Sequence, residues 1–395
     1  MTTTDRFILD HADDDIRQLA LSAAKYPDVD MTTALAQIDG RQRARLKLPT
    51  WAATDGIRYP VHLSMEQCSS EQTATYKARV ARRLTGGHGG RLVDLTGGFG
   101  VDCAWMGREF AETVYVERQQ TLCDIAAHNF TLLGSGPTTV VCADGADYLT
   151  TMAPADMIFI DPARRDANGG RVVAISDCTP DVLAMKGTLL DRGRRVMVKL
   201  SPMLDWHKAV DDMDRDGRCV KELHIVAVDN ECKELLLVLD RNLTEPLHIY
   251  CVNNDDVTDY TWTGTADMAG DTDMEGAAFV FEPNASIMKA GCFDVVEQRY
   301  GVRAIGRNSH LFVADSDIAD FPGRRFAIDR ISTLNKRELK ENLTGMDRAN
   351  ITVRNFPMTV DALRKRLKLK EGGDRYVFAT TRGDREHLLL ICRKV

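Results

Sequence analysis

A length of 395 residues exceeds what one compact core usually holds, so two or three domains are expected. The composition, with 44% hydrophobic and 28% charged residues and a net charge of −7, is that of an ordinary globular protein. Ten cysteines lie singly, without C-x-x-C pairs or clustered histidines, which argues against a disulfide framework, a zinc site or an iron–sulfur cluster. There is no secretory start and no apolar run of roughly 18 residues, so we expect a cytoplasmic protein without a metal or a membrane partner.

The charges are distributed unevenly along the chain. From Arg324 to the end there are 18 basic and 9 acidic residues, whereas the remainder holds 33 basic and 49 acidic residues. This asymmetry indicates a basic appendage on an acidic body, a pattern that favours nucleic-acid binding. An ordinary solvated surface is the alternative interpretation.

Residues 1–85 are predicted to form an N-terminal helical region. Apolar residues recur at near-helical spacing in TDRFILDHADDDIRQLALSAAKYP and again in MTTALAQIDGRQRARLKLP. A further helix is expected in SSEQTATYKARVARRL, with Ser69 or Ser70 as its N-cap and Gly86-Gly87 at its end.

Residues 86–245 alternate between strands and helices, which predicts an α/β domain. Short apolar strands are expected in RLVDLTGG, ETVYVER, TTVVCADG, ADMIFIDP, RRVMVKLSP and KELLLVLD. Continuous apolar strands separated by helices indicate a parallel sheet that is covered on both faces.

The last 150 residues predict smaller elements. Within residues 246–323, HIYCVNNDDVTDYTWTG alternates like a β-hairpin, and AAFVFEPNASIMKAGCFDVVEQRYG predicts a strand followed by a helix. Residues 324–395 give the order β-α-β-α-β-β, which suits a small α+β domain.

Acidic residues stand at the ends of four consecutive predicted strands. They are Asp94, Glu117, Asp144 and Asp161. In an open parallel sheet the carboxyl ends of the strands line one crevice, where ligands bind. Packing alone favours no charge at these positions, although a single aspartate is also a good helix cap.

A glycine turn, VDLTGGFGVDC, follows the first strand of this series. Gly97, Gly98 and Gly100 permit a tight turn and the close approach of a ligand to the backbone. The dinucleotide fingerprint G-x-G-x-x-G is incomplete, because Cys103 stands where its third glycine would be. Glu117, 17 residues beyond Gly100, stands where a carboxylate can accept both hydroxyls of a ribose.

Together, these features resemble class I S-adenosylmethionine-dependent methyltransferases over about residues 85–245. The resemblance implies a Rossmann-like sheet and S-adenosyl-L-methionine as cofactor. It implies that the first acid and the glycine turn receive the methionine part, that the second acid binds the ribose, and that the third lies by the adenine. The cofactor-binding residues expected on this basis are Asp94, Thr96, Gly97, Gly98, Gly100, Glu117 and Asp144, joined by the candidate helix contacts Ser70, Thr73, Tyr76 and Lys77.

Further segments resemble a subgroup of these methyltransferases that carries a C-terminal THUMP-like domain preceded by a short ferredoxin-like segment. The segments are YPVHLSMEQCSSEQTATYKA, VDLTGGFGVD, DPARRD, VKLSPMLD, FEPNASIMKAG and the basic C-terminal unit. The implied domains are a helical region (1–85), a methyltransferase domain (86–245), a β-hairpin and ferredoxin-like segment (246–323) and a basic THUMP-like domain (324–395). THUMP domains are linked to RNA binding in RNA-modifying enzymes, so the resemblance also implies RNA as a partner.

The D-P loop, residues 161–166, is the expected reaction centre. In the resemblance Asp161-Pro162 faces the reacting methyl, but Ala163 and Arg164 replace the second proline and the base-stacking tyrosine of the amine-methylating pattern D-P-P-Y. An exocyclic amine acceptor is therefore in doubt, while direct methyl displacement is not. Lys199 ends the next strand and joins Asp161 and Pro162 as a candidate catalytic residue, since a buried lysine can lose its proton or bind a phosphate or carboxylate.

Basic residues at two places are candidate RNA contacts. Arg164 and Arg165 could hold phosphate or stack on a base, or form an ordinary solvated pair. A basic helix after Thr359 could follow a phosphate track, or its charges could simply complement the helix dipole. Its candidate residues are Arg364, Lys365, Arg366, Lys368 and Lys370.

The sequence therefore predicts an S-adenosylmethionine-dependent methyltransferase that modifies an rRNA or tRNA nucleotide. Three alternatives stay open: a methyltransferase for a protein or a small molecule, a non-catalytic RNA-binding protein on the same fold, and a nicotinamide-dependent oxidoreductase. The missing third glycine and the third and fourth acids weigh against the oxidoreductase.

Overall fold

The computed structural model describes residues 2–87, 89–164, 175–264, 274–383 and 385–395, and of Arg164 only the backbone. Arg165 therefore lies outside the described residues, and the D-P loop is described at residues 161–164. The chain forms two compact units. Unit 1 comprises residues 1–228 and 233–247, and unit 2 comprises residues 229–232 and 248–395.

Unit 1 begins with six helices, as predicted for the N-terminal region. The last of them begins where the Ser70 hydroxyl accepts a hydrogen bond from the Thr73 N–H, and it ends at Gly86 in the left-handed conformation. The helices are α1 Thr3–Asp10, α2 Ile16–Leu21, α3 Met31–Lys47, α4 Pro49–Ala53, α5 His62–Gln67 and α6 Glu71–Thr85.

Strands and helices then alternate through the rest of unit 1. The inner parallel strands β1, β2, β4 and β7 are short, largely buried runs, whereas β3 at the edge of the sheet is only partly buried. The elements are β1 Arg91–Asp94, α7 Val101–Met106, β2 Glu112–Glu117, α8 Gln120–Leu133, β3 Thr138–Cys142, α9 Gly145–Thr151, β4 Ala155–Ile160, β5 Ala163–Arg164, β6 Cys178–Thr179, α10 Val182–Arg192, β7 Gly193–Leu200, α11 Trp206–Asp214, β8 Val220–Val228 and β9 Glu231–Leu239.

The sheet of unit 1 is mainly parallel, with the strand order β8-β9-β7-β4-β1-β2-β3. β1 pairs in parallel with β2 and β4, and β7 continues the parallel series beside β4. The sequence prediction of a parallel sheet needs one correction, because β9 runs antiparallel to β7. The sequence prediction also missed β8. It expected a single strand in KELLLVLD, and that strand is β9, which follows β8 directly.

Two apolar clusters pack against one face of this sheet. One cluster joins Trp51, Phe99, Tyr115 and Phe130, and it lies between the early helices, α7, α8 and the sheet. A second cluster lies beside the first on the same face, where α6 packs against β4, β7, β8 and β9, because the register pairs Asp94 with both Tyr115 and Phe159. The site described below is built at the carboxyl ends of the strands.

Unit 2 contains the antiparallel hairpin β10–β11 and a seven-stranded sheet in the order β13-β14-β12-β15-β18-β17-β16. Two helices, α14 and α15, cover one face of this sheet through an apolar cluster that includes Leu339, Leu363 and Leu367. The elements are β10 His248–Asn253, β11 Asp256–Thr261, β12 Phe279–Pro283, α12 Ala285–Ala290, α13 Phe293–Tyr300, β13 Arg303–Ala304, β14 Phe312–Ala314, β15 Gly323–Ser332, α14 Lys336–Asn342, β16 Asn350–Val353, α15 Val360–Leu367, β17 Arg375–Arg382 and β18 Glu386–Lys394.

The predicted fold class is confirmed: an α/β domain with N-terminal helices and a small C-terminal α+β domain in the order β-α-β-α-β-β. Within the described part of the chain, no helix combines the length and apolar character that crossing a bilayer requires.

Gly97 and Gly187 offer a matched pair of glycine-to-alanine tests. A Cβ on Gly97 would lie 2.1 Å from the Tyr115 ring, so Gly97→Ala is expected to destabilise the protein by about 1–3 kcal/mol. Gly187 lies inside α10 with open space around it, so Gly187→Ala should stabilise by about 0.5–1 kcal/mol. Urea unfolding of both variants measures the difference, and equal stability of Gly97→Ala and the parent would contradict the packing argument.

Candidate active site

The four strand-end acids lie along one edge of the unit 1 sheet, as the sequence predicts. Asp94 and Glu117 are the last residues of β1 and β2, Asp144 lies two residues after β3, and Asp161 directly follows β4. The parallel register places these ends side by side, with Asp94 opposite Phe159 of β4 and Glu117 opposite Cys142 of β3. A ligand at this edge can therefore meet several carboxylates at once.

Asp94 is a fully buried carboxylate with one unsatisfied oxygen. Its Oδ1 accepts a hydrogen bond from the Thr96 N–H at 3.0 Å, whereas its Oδ2 is buried and has no hydrogen-bond partner among the described residues. Burial raises the pKa of Asp94 well above its ordinary value, and the bond from Thr96 opposes that rise only in part. A buried acceptor without a donor is costly, and a cationic ligand would satisfy it.

Thr96 links the first and fourth strands of the site. Its Oγ1 accepts a hydrogen bond from the Asp161 N–H at 2.6 Å, while its own N–H is held by Asp94. The beginning of the D-P loop is thereby tied to the glycine turn. The expectation of Thr96 as a cofactor contact stays a prediction, but its role in aligning the two loops is visible.

The glycine turn is shaped as much by packing as by any ligand. Gly98 and Gly100 have φ of 52° and 88°, in the left-handed region that suits glycine. Gly97 is instead required by the Tyr115 ring, whose hydroxyl donates to the Gly98 carbonyl at 2.5 Å. The Gly98 N–H donates to Glu117 Oε2 at 3.1 Å, so the turn and the second acid are held together.

Asp144 is exposed and caps α9. One of its carboxylate oxygens accepts from the Ala146 N–H at 2.9 Å and from the Asp147 N–H at 3.4 Å. Helix capping is the alternative role that the sequence allows for any one of the strand-end aspartates. Contact with an adenine remains a prediction for this residue.

Asp161 and Lys199 form an ion pair at the ends of the neighbouring strands β4 and β7. Lys199 Nζ lies 2.6 Å from Asp161 Oδ2 and 3.9 Å from Asp102 Oδ2. Burial alone would lower the pKa of Lys199, but the charges of Asp161, Asp102 and Glu234 outweigh it and raise the pKa above its ordinary value. The sequence allows two kinds of role for Lys199: losing its proton, or binding a phosphate or carboxylate. This geometry favours binding of a carboxylate.

Lys77 is a second buried ammonium group, and it lies close to the first. The side chain is 0% exposed; Nζ lies 2.6 Å from Glu234 Oε1, 3.1 Å from Asp102 Oδ1 and 3.1 Å from the Ser69 hydroxyl. Ser69 in turn donates to Asp102 Oδ2 at 2.7 Å. Lys77 was expected as a possible ligand contact, whereas here it is an internal counter-ion.

Sequence reasoning missed Asp102 and Glu234, although each left a signal. Asp102 lies in the first turn of α7, two residues after the last glycine of the turn. Glu234 is a buried acid that precedes five buried apolar residues in β9. A buried acid in a strand requires a partner of opposite charge, and the nearest lysine of the helix before the glycine turn supplies it.

The other two helix candidates, Ser70 and Thr73, have local structural roles. The Thr73 N–H donates to the Ser70 hydroxyl at 3.2 Å, and the Thr73 hydroxyl donates to the Ser70 carbonyl at 3.1 Å. Both groups close the first turn of α6. Their proposed cofactor contacts stay predictions.

Tyr76, also named from the sequence, belongs to a separate polar chain under α6. Its hydroxyl hydrogen-bonds His224 Nδ1 at 2.7 Å, and His224 Nε2 lies 3.1 Å from Glu222 Oε2. Arg83 completes the chain with a bond of 3.0 Å to Glu222 Oε1. Burial works to raise the pKa of Glu222, but the bonds from His224 and Arg83 lower it to about 2. The chain fixes α6 on β8.

In unit 2, the predicted basic helix is α15, and its cations differ in availability. The Arg364 guanidinium donates to the Ala349 carbonyl at 3.1 Å, and Arg366 donates to the Leu334 carbonyl at 3.3 Å, so both have structural roles. Lysines on the helix and just beyond it are exposed. They are Lys365, Lys368 and Lys370.

Part of the basic excess of unit 2 is neutralised internally. Glu282 is buried and pairs with two arginines, accepting from Arg324 Nε at 2.7 Å and from Arg354 at 2.9 Å. Asp329 pairs in the same way with Arg393 at 2.8 Å. The exposed lysines on α15 and just beyond it therefore make up a larger share of the unpaired positive charge of unit 2 than the number of basic residues suggests. Among the described residues, no group of three or more His, Cys, Asp or Glu side chains could hold a metal ion.

Parts of this chain match known domain families. Residues 323–394 match a THUMP domain-like family, and residues 279–322 match a ferredoxin-like domain family. A crystal structure from Porphyromonas gingivalis W83, described as a candidate methyltransferase, is 31% identical to this chain with a TM-score of 0.86. The match covers 99% of this chain and 97% of that one. No curated protein matches the chain.

The chain therefore belongs to the family of the Porphyromonas gingivalis protein: a class I methyltransferase fold followed by ferredoxin-like and THUMP-like domains. The resemblance stated from the sequence is confirmed. Two other solved structures are more distant. The Thermus thermophilus 16S rRNA N2 G1207 methyltransferase is 16% identical over 47% of this chain and 46% of that one, with a TM-score of 0.34. Methanocaldococcus jannaschii Trm5 is 12% identical over 45% of this chain and 51% of that one, with a TM-score of 0.32. Likeness at this level carries no argument about function.

The raised pKa of Asp94 predicts a pH-dependent stability difference. A carboxyl whose pKa is raised by folding contributes stability that is complete below its unfolded pKa, about 3.9, and is lost as the pH rises through the folded value. Replacement by asparagine removes this loss. The Tm of Asp94→Asn, relative to the parent, should therefore increase from pH 5 to pH 8 in the absence of ligand.

Asp181→Asn is the control for this measurement. Asp181 caps α10 through the Leu183 and Ala184 N–H groups, and asparagine caps equally well. Its Tm should follow that of the parent at both pH values. A pH-independent offset for Asp94→Asn would contradict the assignment of a buried, titrating carboxyl.

Proposed function

We propose that this protein is an S-adenosylmethionine-dependent methyltransferase that modifies RNA. The observation that supports the cofactor most directly is the buried, unpartnered Oδ2 of Asp94 beside the glycine turn. The family relationship supports the reaction class, and the exposed lysines of the THUMP-like domain support the substrate class.

The residues at the sheet edge fit this cofactor. Asp94 would accept the ammonium group of the methionine part, which would relieve the buried oxygen of its missing donor. Glu117 would accept the ribose hydroxyls, because each of its oxygens receives only one backbone N–H, from Gly98 or Gln119, and keeps a further lone pair. When bound, the sulfonium of the cofactor supplies an electrophilic methyl group.

The chain's own contribution is to hold the acceptor and handle its proton. Asp161 is placed by the bond from its N–H to Thr96 and by the ion pair with Lys199, so its carboxylate has a fixed direction. Such positioning is what a direct displacement needs, since acceptor, methyl and leaving sulfur must be in line. Asp161 can accept a hydrogen bond from the acceptor and take up its proton.

RNA is the substrate class that the charge of unit 2 supports. α14 and α15 lie on one face of the sheet, and their outer sides carry exposed lysines. Several lysines on one face can follow a phosphate backbone. A protein or small-molecule substrate would leave this surface without a use in the reaction, so that alternative ranks second.

Cofactor affinity tests the first half of the proposal. Asp94→Ala and Glu117→Ala should each weaken S-adenosylmethionine binding about 10- to 100-fold, the loss expected for a hydrogen bond to a charged group. Isothermal titration calorimetry measures this. Glu112→Ala is the matched control, because Glu112 is an acid at the opposite end of β2 that pairs with Arg91. Unchanged affinity in both site variants would remove the cofactor assignment.

RNA affinity tests the second half. The triple variant Lys365→Glu, Lys368→Glu, Lys370→Glu should bind RNA more weakly and reduce the slope of log affinity against log salt by about 2, since three phosphate contacts to a single strand are lost. Fluorescence anisotropy with labelled RNA at several salt concentrations measures both quantities. A control of equal charge change in unit 1 should keep its slope. It consists of Arg6→Glu, Arg17→Glu and Lys25→Glu, all exposed residues. Equal losses in the two triples would show that RNA is attracted only by net charge.

A further inference from the structure

We propose that the methyl acceptor is a group that reacts as an anion, such as the ring N–H of a guanine or uracil or a hydroxyl, and that Lys199 supplies the fixed positive charge beside it. This inference rests on the proposed function and narrows its substrate. It starts from the ion pair at the ends of β4 and β7.

Lys199 is held too firmly to act as a mobile or neutral amine. Its Nζ lies 2.6 Å from Asp161 Oδ2 and 3.9 Å from Asp102 Oδ2, and its side chain is 12% exposed. Asp102 is fixed in turn by Lys77 at 3.1 Å and by the Ser69 hydroxyl at 2.7 Å. The ammonium therefore occupies a defined place at the reaction centre.

Acidic groups surround Lys199 from several elements. Three acids act on its charge: one follows β4, one begins α7 and one lies on β9. A cysteine before α6 and the lysine of α6, which shares an acid with Lys199, also belong to its surroundings. In this order they are Asp161, Asp102, Glu234, Cys68 and Lys77. The carboxylates around Lys199 raise its pKa and keep its ammonium group protonated across the neutral range.

Asp161 can still receive an acceptor. Its Oδ2 is engaged by Lys199, and its side chain is 34% exposed, so the carboxylate is open on one side. An acceptor N–H or O–H that donates to Oδ1 would come within about 6 Å of the Lys199 ammonium, the range in which an opposite charge lowers a pKa by roughly one to three units. Once Asp161 takes up the acceptor proton, its own negative charge is neutralised, and the Lys199 ammonium then stabilises the acceptor anion.

The same charge disfavours acceptors that become cations. An exocyclic amine, or a ring nitrogen that attacks through its lone pair, gains positive charge as the new bond forms. Lys199 offsets the negative charge of Asp161, so the ion pair gives such an acceptor little net stabilisation of its growing positive charge. The base-stacking tyrosine of the amine-methylating pattern is also missing, since Ala163-Arg164 stands in its place.

The step balances without a further reagent. The acceptor proton passes to Asp161 or to water; the anionic acceptor forms a bond to the methyl carbon; and the methyl–sulfur bond breaks with its electron pair left on sulfur. A sulfonium and an anion thus give a neutral methylated product and a neutral thioether, and the proton leaves to solvent.

Product identity is the first test. The full-length protein is incubated with S-adenosylmethionine bearing a labelled methyl group and with RNA from a strain that lacks it, and the nucleosides are separated by mass spectrometry. We expect 1-methylguanosine, 3-methyluridine or a ribose methyl ether. A methylated exocyclic amine, or a cationic product such as 7-methylguanosine, would overturn this inference and leave the proposed function intact. Absence of label from RNA would overturn both.

The pH dependence of the rate is the second test. At saturating substrate, Lys199→Met should shift the rising limb of kcat to higher pH by about one unit or more, whereas Lys199→Arg should keep the parent profile. A merely structural role would lower kcat equally at all pH values, and that result would contradict the inference. Cofactor affinity by calorimetry should stay within about twofold of the parent in both variants, a readout independent of turnover.

Lys208→Met serves as the matched control. Lys208 forms an ion pair with Asp212 at 2.8 Å on α11, outside the site, and its side chain is 53% exposed. Its kcat profile should coincide with that of the parent. If Lys199→Met does not fold, product identity from the unaltered protein still decides the question.

Discussion

The architecture of unit 1 depends on the burial of one ammonium group, that of Lys77. A charge with no exposed surface is tolerated only when partners replace its water, and Glu234, Asp102 and Ser69 do so at 2.6–3.1 Å. These partners belong to β9, to α7 and to the segment before α6, so one group joins a strand, the helix that follows the glycine turn and the segment before α6. Removing one partner of such a pair typically costs about 3–5 kcal/mol, because the other charge stays buried.

The same network reaches the reaction centre, because Asp102 is shared between the two lysines. Charges alternate along the series Glu234, Lys77, Asp102, Lys199 and Asp161, each near its opposite. A displacement of Asp161 would therefore disturb a series of ion pairs that ends at the buried Glu234. Rigid support of this kind is what places a carboxylate for in-line transfer, and it explains why a site built from flexible acid side chains can have a definite geometry.

The sequence predicted the edge of the sheet better than the contacts within it. Parallel strands must bring their carboxyl ends together, so Asp94, Glu117 and Asp161 could be assigned to one crevice from order alone. The pairing of Lys77 with Glu234 could not, because it depends on the rotation of α6 over the sheet and on the reversed direction of β9. Gly97 shows a similar limit: the turn was foreseen, but the Tyr115 ring that excludes a Cβ comes from a neighbouring strand. Local sequence patterns reveal the type of each element and the edge of the sheet at which a residue lies. Long-range packing decides which side chains pair with each other.

The separation of Lys77 from Glu234 has a consequence for synthesis of the chain. The two residues are 157 positions apart. While the ribosome is still producing the intervening strands, Lys77 can meet Asp102 and Ser69 but not Glu234 of β9. The N-terminal helices can therefore form early, but full burial of this lysine against the sheet has to wait for the β8–β9 hairpin. Closure of the nascent domain is thus tied to the completion of its last strands, so that a truncated chain lacking them would leave α6 undocked and open to quality-control proteases.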